Sequence, residues 1–141
     1  MNDQISDSNS KPFPVTTRQS ARVINGDHTE VLVLGFIDKI LVIISQYGSI
    51  GSLIYATLEK SPAPLALSPT TASTPLLGIY PTLYQLYVNE IAQLIRNENQ
   101  GEQRGVVVGL ALKERAENEG TLGNTEVFEN AMEMIKECKV W

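Results

Sequence analysis

Three stretches of the chain are apolar at nearly every position, and the remaining sequence must supply whatever covers them. The central stretch, Ile40 to Ile44, consists of four β-branched residues and one leucine. β-Branched side chains favour a pleated strand over a helix, so this stretch predicts a strand. Residues 31–37 and 106–112 have the same character. A strand without polar positions has no face for solvent, and both of its sides must be covered.

Short turns connect the first predicted strands into hairpins. The Asn-Gly pair at 25–26 suits the positive φ angles of a type I′ turn between two strand-like segments. The Asp-Lys pair at 38–39 is a second short turn, leading into the strand at 40–44. Another strand follows the glycine-containing turn at 46–51. Together these segments predict a four-stranded antiparallel meander.

If both short turns contain two residues, the facing positions follow by counting. The expected pairs are Ile37 with Ile40, Gly35 with Val42, and Val33 with Ile44. One face is then flat and β-branched, and it also includes Val31. The other face carries larger and more flexible side chains, namely Leu32, Leu34, Phe36, Leu41 and Ile43.

Two helices with apolar stripes are predicted in the second half of the chain. The first opens at residues 81–82, where Thr82 and Gln85 have the spacing of a capping box. The second can be capped by Asn124 or Thr125. The stripes at helical spacing are Tyr84, Tyr87, Val88, Ile91, Leu94 and Ile95 in the first helix, and Phe128, Ala131, Met132, Ile135 and Cys138 in the second.

Two helices are too few to cover both sides of this sheet. Each is about 10 Å wide, so the pair covers about four strands at a spacing of nearly 5 Å. The sequence therefore predicts an α+β domain, with two helices on one face of an antiparallel five- to six-stranded sheet that begins as a meander. The other face is available for dimerisation. The flatter face is the expected dimer face, represented by Val31, Val33, Ile40, Val42 and Ile44.

The domain organisation is simple. Residues 1–14 are polar and are expected to form a disordered arm, whereas residues 15–141 form a single domain. Residues 61–75 contain four prolines and no charged residue, which predicts a loop, followed by a short strand at 76–79. The loop is either a surface linker or a partner contact. The residues expected to touch a partner are Pro62, Pro64, Leu65, Leu67 and Pro69.

Composition narrows the class of protein. The net charge of -5 provides no basic stripe for nucleic acid or for an anionic membrane surface. No stretch is apolar enough to span a membrane. The single cysteine, Cys138, fits a reducing compartment, and the polar amino terminus lacks the regions of a signal peptide. A cytoplasmic location is expected, with the nucleus as a second one.

The search for catalytic chemistry finds no catalytic residues, and no cofactor or metal site is expected. His28 lies beside a turn and Cys138 lies on an apolar helix stripe, where solvated and packed side chains are the ordinary outcome. The Gly48-x-x-Gly51 spacing leads into a strand and not into a helix, so it offers no phosphate site. An acidic run is either a solvated helix face or a docking surface for a basic partner; it comprises Glu126, Glu129, Glu133 and Glu137.

Two motifs resemble the proteasome assembly chaperone 3 family. Residues 40–53, with Gln-Tyr-Gly at 46–48 and Gly-Ser-Leu at 51–53, are similar to its apolar strand, Thr-Gln-Phe-Gly turn and Gly-Thr-Leu strand. Cys138-Lys-Val-Trp141 is similar to its Cys-x-Val-Trp ending. The resemblance implies a non-enzymatic chaperone that pairs with a subunit like assembly chaperone 4, or with itself. It also implies contact with proteasome α-subunits during α-ring assembly of the 20S core particle, and release before maturation.

Two other functions fit parts of the pattern. A small α+β adaptor or scaffold subunit of another cytosolic complex would also need an uncovered sheet face. Proteins captured from cells would separate this role from the chaperone role. An enzyme or ligand carrier would need a polar constellation that this sequence does not suggest, and thermal shift against metabolites would reveal it.

Overall fold

The computed structural model describes residues 15–59, 70–114 and 120–141. The predicted arm at 1–14 and the predicted partner residues between Pro62 and Pro69 lie outside these ranges. Six strands and two helices are described, and in chain order they are β1 (Thr16–Ile24), β2 (Asp27–Gly35), β3 (Lys39–Ser45), β4 (Ser52–Glu59), β5 (Thr70–Leu77), α1 (Thr82–Glu98), β6 (Gly105–Ala111) and α2 (Gly120–Glu137).

All six strands belong to one sheet, with the order β1-β2-β3-β6-β4-β5. Every neighbouring pair is antiparallel except β3 and β6, which are parallel. The predicted α+β class, with a mainly antiparallel six-stranded sheet and two helices, is therefore confirmed. The four-stranded meander is wrong beyond its third strand, because β6 enters the sheet between β3 and β4.

The first hairpin forms as predicted. Asn25 and Gly26 have φ angles of 51° and 82°, and Ile24 pairs with Asp27 across the turn. Both positive φ angles match the type I′ turn, whose twist suits the flanking strands.

The second hairpin is shifted by one residue from its predicted position. The Phe36 amide donates to the Lys39 carbonyl at 2.8 Å, so the turn consists of Ile37 and Asp38. Ile37 is 99% exposed there, which the sequence did not lead us to expect of a β-branched residue. Moving the turn by one residue changes each facing partner by two positions, and a shift of two leaves every side chain on its predicted face. The observed pairs are Gly35 with Ile40, Val33 with Val42, and Val31 with Ile44.

The prediction of a loop through Pro75 is wrong for its last residues. β5 begins at Thr70 and forms the edge of the sheet beside β4. An edge strand tolerates proline because its outer side needs no backbone donor. The register shifts where Pro75 and Leu77 pair with Ile54 and Leu53, which leaves one extra residue in β5.

Both helices pack on the same face of the sheet. α1 contacts β4, β5 and β6, whereas α2 contacts β1 and β2. The rings of Tyr87 and Phe128 join the two helices edge to face, with centroids 4.9 Å apart. The predicted capping box does not form: Thr82 is already helical, and Gln85 Nε2 donates to the Tyr80 carbonyl. α2 begins four residues before the expected Asn124 cap.

The core lies between the helices and the β-branched face of the sheet. The predicted dimer face is part of this core, so that assignment is wrong. Its five residues have no exposed surface in the single chain and are Val31, Val33, Ile40, Val42 and Ile44. A flat β-branched surface suits helix packing as well as it suits a second sheet, and the helices of the chain itself occupy it.

Candidate interaction surface of the sheet

The opposite side of the sheet is apolar, and neither described helix covers it. We call this surface the open face. Its side chains alternate along the strands with those of the core, so they share one side of the sheet. They are half-buried or exposed, and the central ones are Leu32, Leu34, Phe36, Leu41, Ile43, Leu53 and Val107. The five of these on β2, β3 and their turn match the predicted second face.

A shallow depression of about 360 Å³ lies in the middle of the open face. Its walls are almost entirely apolar, with Phe36 on the turn side and Ile50 on the opposite side. Single exposed apolar residues are common on protein surfaces, but a contiguous apolar patch marks a place where another molecule binds. The open face is therefore the candidate functional site.

Two glycines of β6 let larger residues lie flat across the open face. A Cβ atom at Gly105 would come within 2.5 Å of the Tyr55 ring, so this ring lies directly over the β6 backbone. Lys39 Nζ is 5.5 Å from the centroid of the same ring, a cation–π distance. A Cβ atom at Gly109 would lie 3.2 Å from Ile50. The two glycines of β6 thus keep the open face flat, because no side chain of theirs lifts Tyr55 or Ile50 away from the sheet.

Residues 46–51, the crossover loop, carry the chain from β3 over the end of β6 to β4. Gly51 has a φ of 70°, and a Cβ atom there would meet the Leu110 carbonyl and lie 2.8 Å from Ala111 Cβ. Only glycine combines that φ with so close an approach to another strand. This contact explains the glycine at the end of the Gln-Tyr-Gly-Ser-Ile-Gly motif.

Buried Gln46 ties the crossover loop to β2 and to the end of β6. Its amide donates to Thr29 Oγ1 at 3.0 Å, and its side-chain oxygen accepts from the Lys113 amide at 2.9 Å. Its backbone amide donates to the Ala111 carbonyl at 2.8 Å. Ser45 Oγ accepts from the Ser49 amide at 3.0 Å and so holds the turn. The motif positions a loop beside the open face and forms no pocket of its own.

A charged pair closes the end of the sheet where β6 begins. Arg104 donates from Nε and Nη2 to the two oxygens of buried Glu102, each at 2.8 Å. These hydrogen bonds outweigh the desolvation of the carboxylate, so the pKa of Glu102 is lowered. Arg104 Nη1 also donates to the Phe36 carbonyl at 3.0 Å. The pair therefore fixes the turn that borders the open face.

The carboxyl-terminal motif packs against the helix layer. Cys138 is buried, and burial raises the pKa of its thiol, in keeping with a packed side chain. Trp141 Nε1 donates to Glu98 Oε2 at 3.0 Å, and Lys139 Nζ lies 2.9 Å from the same oxygen. Burial acts to raise the pKa of Glu98, but these two donors lower it overall. The motif joins the end of α2 to the end of α1.

The other residues singled out in the sequence do not assemble into a second site. His28 is exposed and lies 3.0 Å from Glu30. The acidic run is partly neutralised, since Arg22 pairs with both Glu133 and Glu137. Within the described ranges, no three His, Cys, Asp or Glu side chains could hold a metal ion together. No described helix has the length and apolar character needed to cross a membrane.

A mainly antiparallel sheet, covered by helices on one side and with an uncovered apolar face on the other, defines the class of this α+β domain. Comparison with known proteins identifies its family. Residues 42–138 match the family model of proteasome assembly chaperone 3, and the chain belongs to this family.

Relatives and one solved structure extend the match along the chain. Proteasome assembly chaperone 3 of Mus musculus is 27% identical over 132 residues, covering 93% of this chain and 98% of the relative. The Nematostella vectensis protein is 30% identical over 105 residues, covering 68% and 74%. A chain from a chaperone complex for yeast 20S proteasome assembly shares the fold, with a TM-score of 0.50 and 15% identity. That likeness covers 86% of this chain and 97% of the yeast chain.

Proposed function

We propose that this protein is a non-enzymatic chaperone that acts as a dimer to promote assembly of the α-ring of the 20S proteasome core particle. Membership of the proteasome assembly chaperone 3 family supports the chaperone role. The chaperone leaves the particle before it matures. Its partners are proteasome α-subunits and one companion chaperone, which is either a subunit like assembly chaperone 4 or a second copy of this chain.

The open face is the observation that carries the dimeric role. Six strands spaced by about 4.8 Å are about 24 Å wide, and seven residues along a strand span about 20 Å. The flat area of such a face is about 500 Å², and its protruding side chains make the accessible surface larger. A stable protein–protein contact buries about 800 Å² of accessible surface on each partner. One stacked sheet would therefore form a contact of ordinary size.

Capture of tagged protein from cells tests this function. We expect the wild-type chain to bring down proteasome α-subunits without β-subunits, together with the companion chaperone. Leu41→Asp places a charge in the centre of the open face and should reduce recovery of the companion at least tenfold, because a buried unpaired carboxylate is strongly unfavourable. Gln93→Asp adds the same charge at an exposed position of helix α1 and is the matched control.

Each result of the capture experiment bears on the proposal. Recovery of a different stable complex would favour the adaptor function, and recovery of mature particles containing β-subunits would contradict release before maturation. If Leu41→Asp and Gln93→Asp behaved alike, the open face would not be the dimer contact. Fluorescence microscopy of tagged protein tests the proposed cytoplasmic and nuclear location.

A further inference from the structure

A second apolar surface lies where β5 leads into α1. Residues 40–58 and 70–89 contain no Asp, Glu, Lys or Arg, although the whole chain has 16 acidic and 11 basic residues. The exposed aliphatic residues of these two ranges are 48–64% exposed. We call them the apolar corner, and they are Ile50, Leu76, Leu77, Ile79 and Leu86.

Gly78 brings two parts of the apolar corner together. It has a φ of 82°, and a Cβ atom there would lie 2.6 Å from Ser52 Oγ and 3.0 Å from Ser52 Cα. The end of β5 therefore lies against the start of β4, two residues after Ile50. Leu77 and Ile79 flank Gly78, so they come from a turn that touches the end of the crossover loop. Because α1 begins three residues after Ile79, the corner continues onto the helix layer.

The two edges of the sheet differ in charge. Edge strands exposed to water commonly carry charged side chains that keep other molecules away. Edge strand β1 has Arg18 and Arg22, whereas β5 has no charged residue and exposes Leu76 and Leu77. Pro75 and the extra residue beside it oppose pairing with a further strand, so β5 would bind through its side chains. Depletion of charged residues marks the centre of a protein–protein contact, and the corner has this composition.

A companion on the open face leaves part of this surface uncovered. Leu86 belongs to α1, and the sheet lies between that helix and the open face. A half-exposed Leu or Ile leaves roughly 100 Å² accessible, so the five residues provide roughly 500 Å². Exposed, uncharged Thr82 and Gln85 extend the corner toward the 800 Å², or about that, which each partner buries in an ordinary contact. The corner is large enough for an occupant other than the companion.

We propose that the apolar corner binds an uncharged, apolar patch of a proteasome α-subunit. This inference rests on the proposed function and adds the surface that receives the α-subunit. A charged patch would lose its water without gaining an opposite charge, which is unfavourable, so the chemistry of the corner selects an apolar one. Ile50 also borders the depression of the open face, so the α-subunit and the companion would lie side by side.

Capture of tagged protein, with quantitative mass spectrometry of all α-subunits, tests the corner. Leu76→Asp combined with Ile79→Asp should reduce α-subunit recovery at least tenfold, because both carboxylates would be buried unpaired. Recovery of the companion should stay within twofold of wild type, which also shows that the variant folds. Val23→Asp makes the same change at a 70% exposed residue of the opposite edge and should change neither recovery. Raising the salt concentration from roughly 0.1 to 0.5 M should leave α-subunit recovery within twofold, because the contact contains no ion pair.

Site-specific cross-linking identifies the occupant directly. A benzophenone side chain in place of Ile79 should cross-link to an α-subunit, and one in place of Val23 should not. Cross-linking of position 79 to the companion or to a second copy of this chain would overturn the inference.

The capture results separate the inference from the proposed function. Wild type and the double variant recovering equal amounts of α-subunits would overturn the inference and leave the function intact. A wild-type chain that captured no α-subunit would contradict the function, and the inference with it. If the double variant lost both partners, Leu86→Asp on α1 would decide: α-subunit recovery at least threefold lower with the companion retained supports the corner, and any other result overturns it.

Discussion

At the scale of single residues, two glycines in the crossover loop show how similar backbone angles can have different causes. Gly48 and Gly51 have φ angles of 69° and 70°. Nothing lies within 4 Å of a Cβ atom built at Gly48, whereas one at Gly51 meets the Leu110 carbonyl of β6. Gly48 therefore satisfies a turn, and Gly51 also satisfies a close contact between the loop and a strand.

Alanine at these two positions separates the two effects. We expect Gly48→Ala to cost about 1 kcal/mol of unfolding free energy, which is the penalty of a left-handed conformation. Gly51→Ala should cost about 1–3 kcal/mol more, because the neighbouring atoms are backbone and cannot move aside easily. Urea denaturation of both variants measures the difference. Equal losses would show that the approach to β6 adds nothing.

Glu102 provides a residue-scale prediction for pH. Its folded pKa is lowered from the ordinary 4.5 by hydrogen bonds from Arg104, so its ionised form stabilises the fold. This contribution is fully present above pH 4.5 and is lost as pH falls through the lower folded pKa. Glu102→Gln should therefore lower stability by about 2 kcal/mol at pH 7. The difference from wild type should shrink progressively below pH 4.5.

Thermal denaturation between pH 3 and pH 7 tests this sign. Glu126→Gln removes an exposed carboxylate from α2 and is the control, for which we expect no comparable loss at pH 7. A Glu102→Gln deficit that stayed constant across the whole range would show that the missing interaction is steric and does not depend on charge.

At the scale of elements, local patterns predicted most of the strands and helices, and long-range contacts decided the rest. The Asn-Gly turn, the division of β2 and β3 side chains between two faces and the stripe of α1 all follow from residues close in sequence. The place of β6 between β3 and β4 depends on residues about 60 positions apart, and no local period contains that information. The sequence did not predict edge strand β5. Proline at position 75 argues against an inner strand, and the local pattern does not say which strand lies at the edge of the sheet.

The choice between the two sheet faces was also beyond the sequence pattern. Both faces of β2 and β3 are apolar, so hydrophobicity does not say which one receives the helices. Side-chain shape suggested a flat β-branched dimer face, but the helices lie on that face. Alternation predicts which residues share a face, whereas packing of the whole chain decides which face remains open.

At the scale of the whole molecule, the open face connects stability to concentration. If dimerisation covers it, unfolding also separates the two copies, and mass action makes the melting temperature rise with protein concentration. For a chain of this size we expect a rise of about 2 °C per tenfold increase in concentration. Differential scanning fluorimetry at protein concentrations from roughly 1 to 100 μM would measure this rise, because dissociation constants of about 1 μM are common for such interfaces.

The same Leu41→Asp substitution that should prevent dimerisation makes this prediction specific. A half-exposed leucine on the surface of a monomer contributes little to its own fold, so the variant should melt at a temperature independent of concentration. The two melting curves should then converge at low concentration, where wild type is also monomeric. A variant that melted far lower at every concentration would show that the open face belongs to the fold of the single chain. Convergence of the two curves at low concentration would show that the apolar residues of the open face stabilise the dimer and not the single chain.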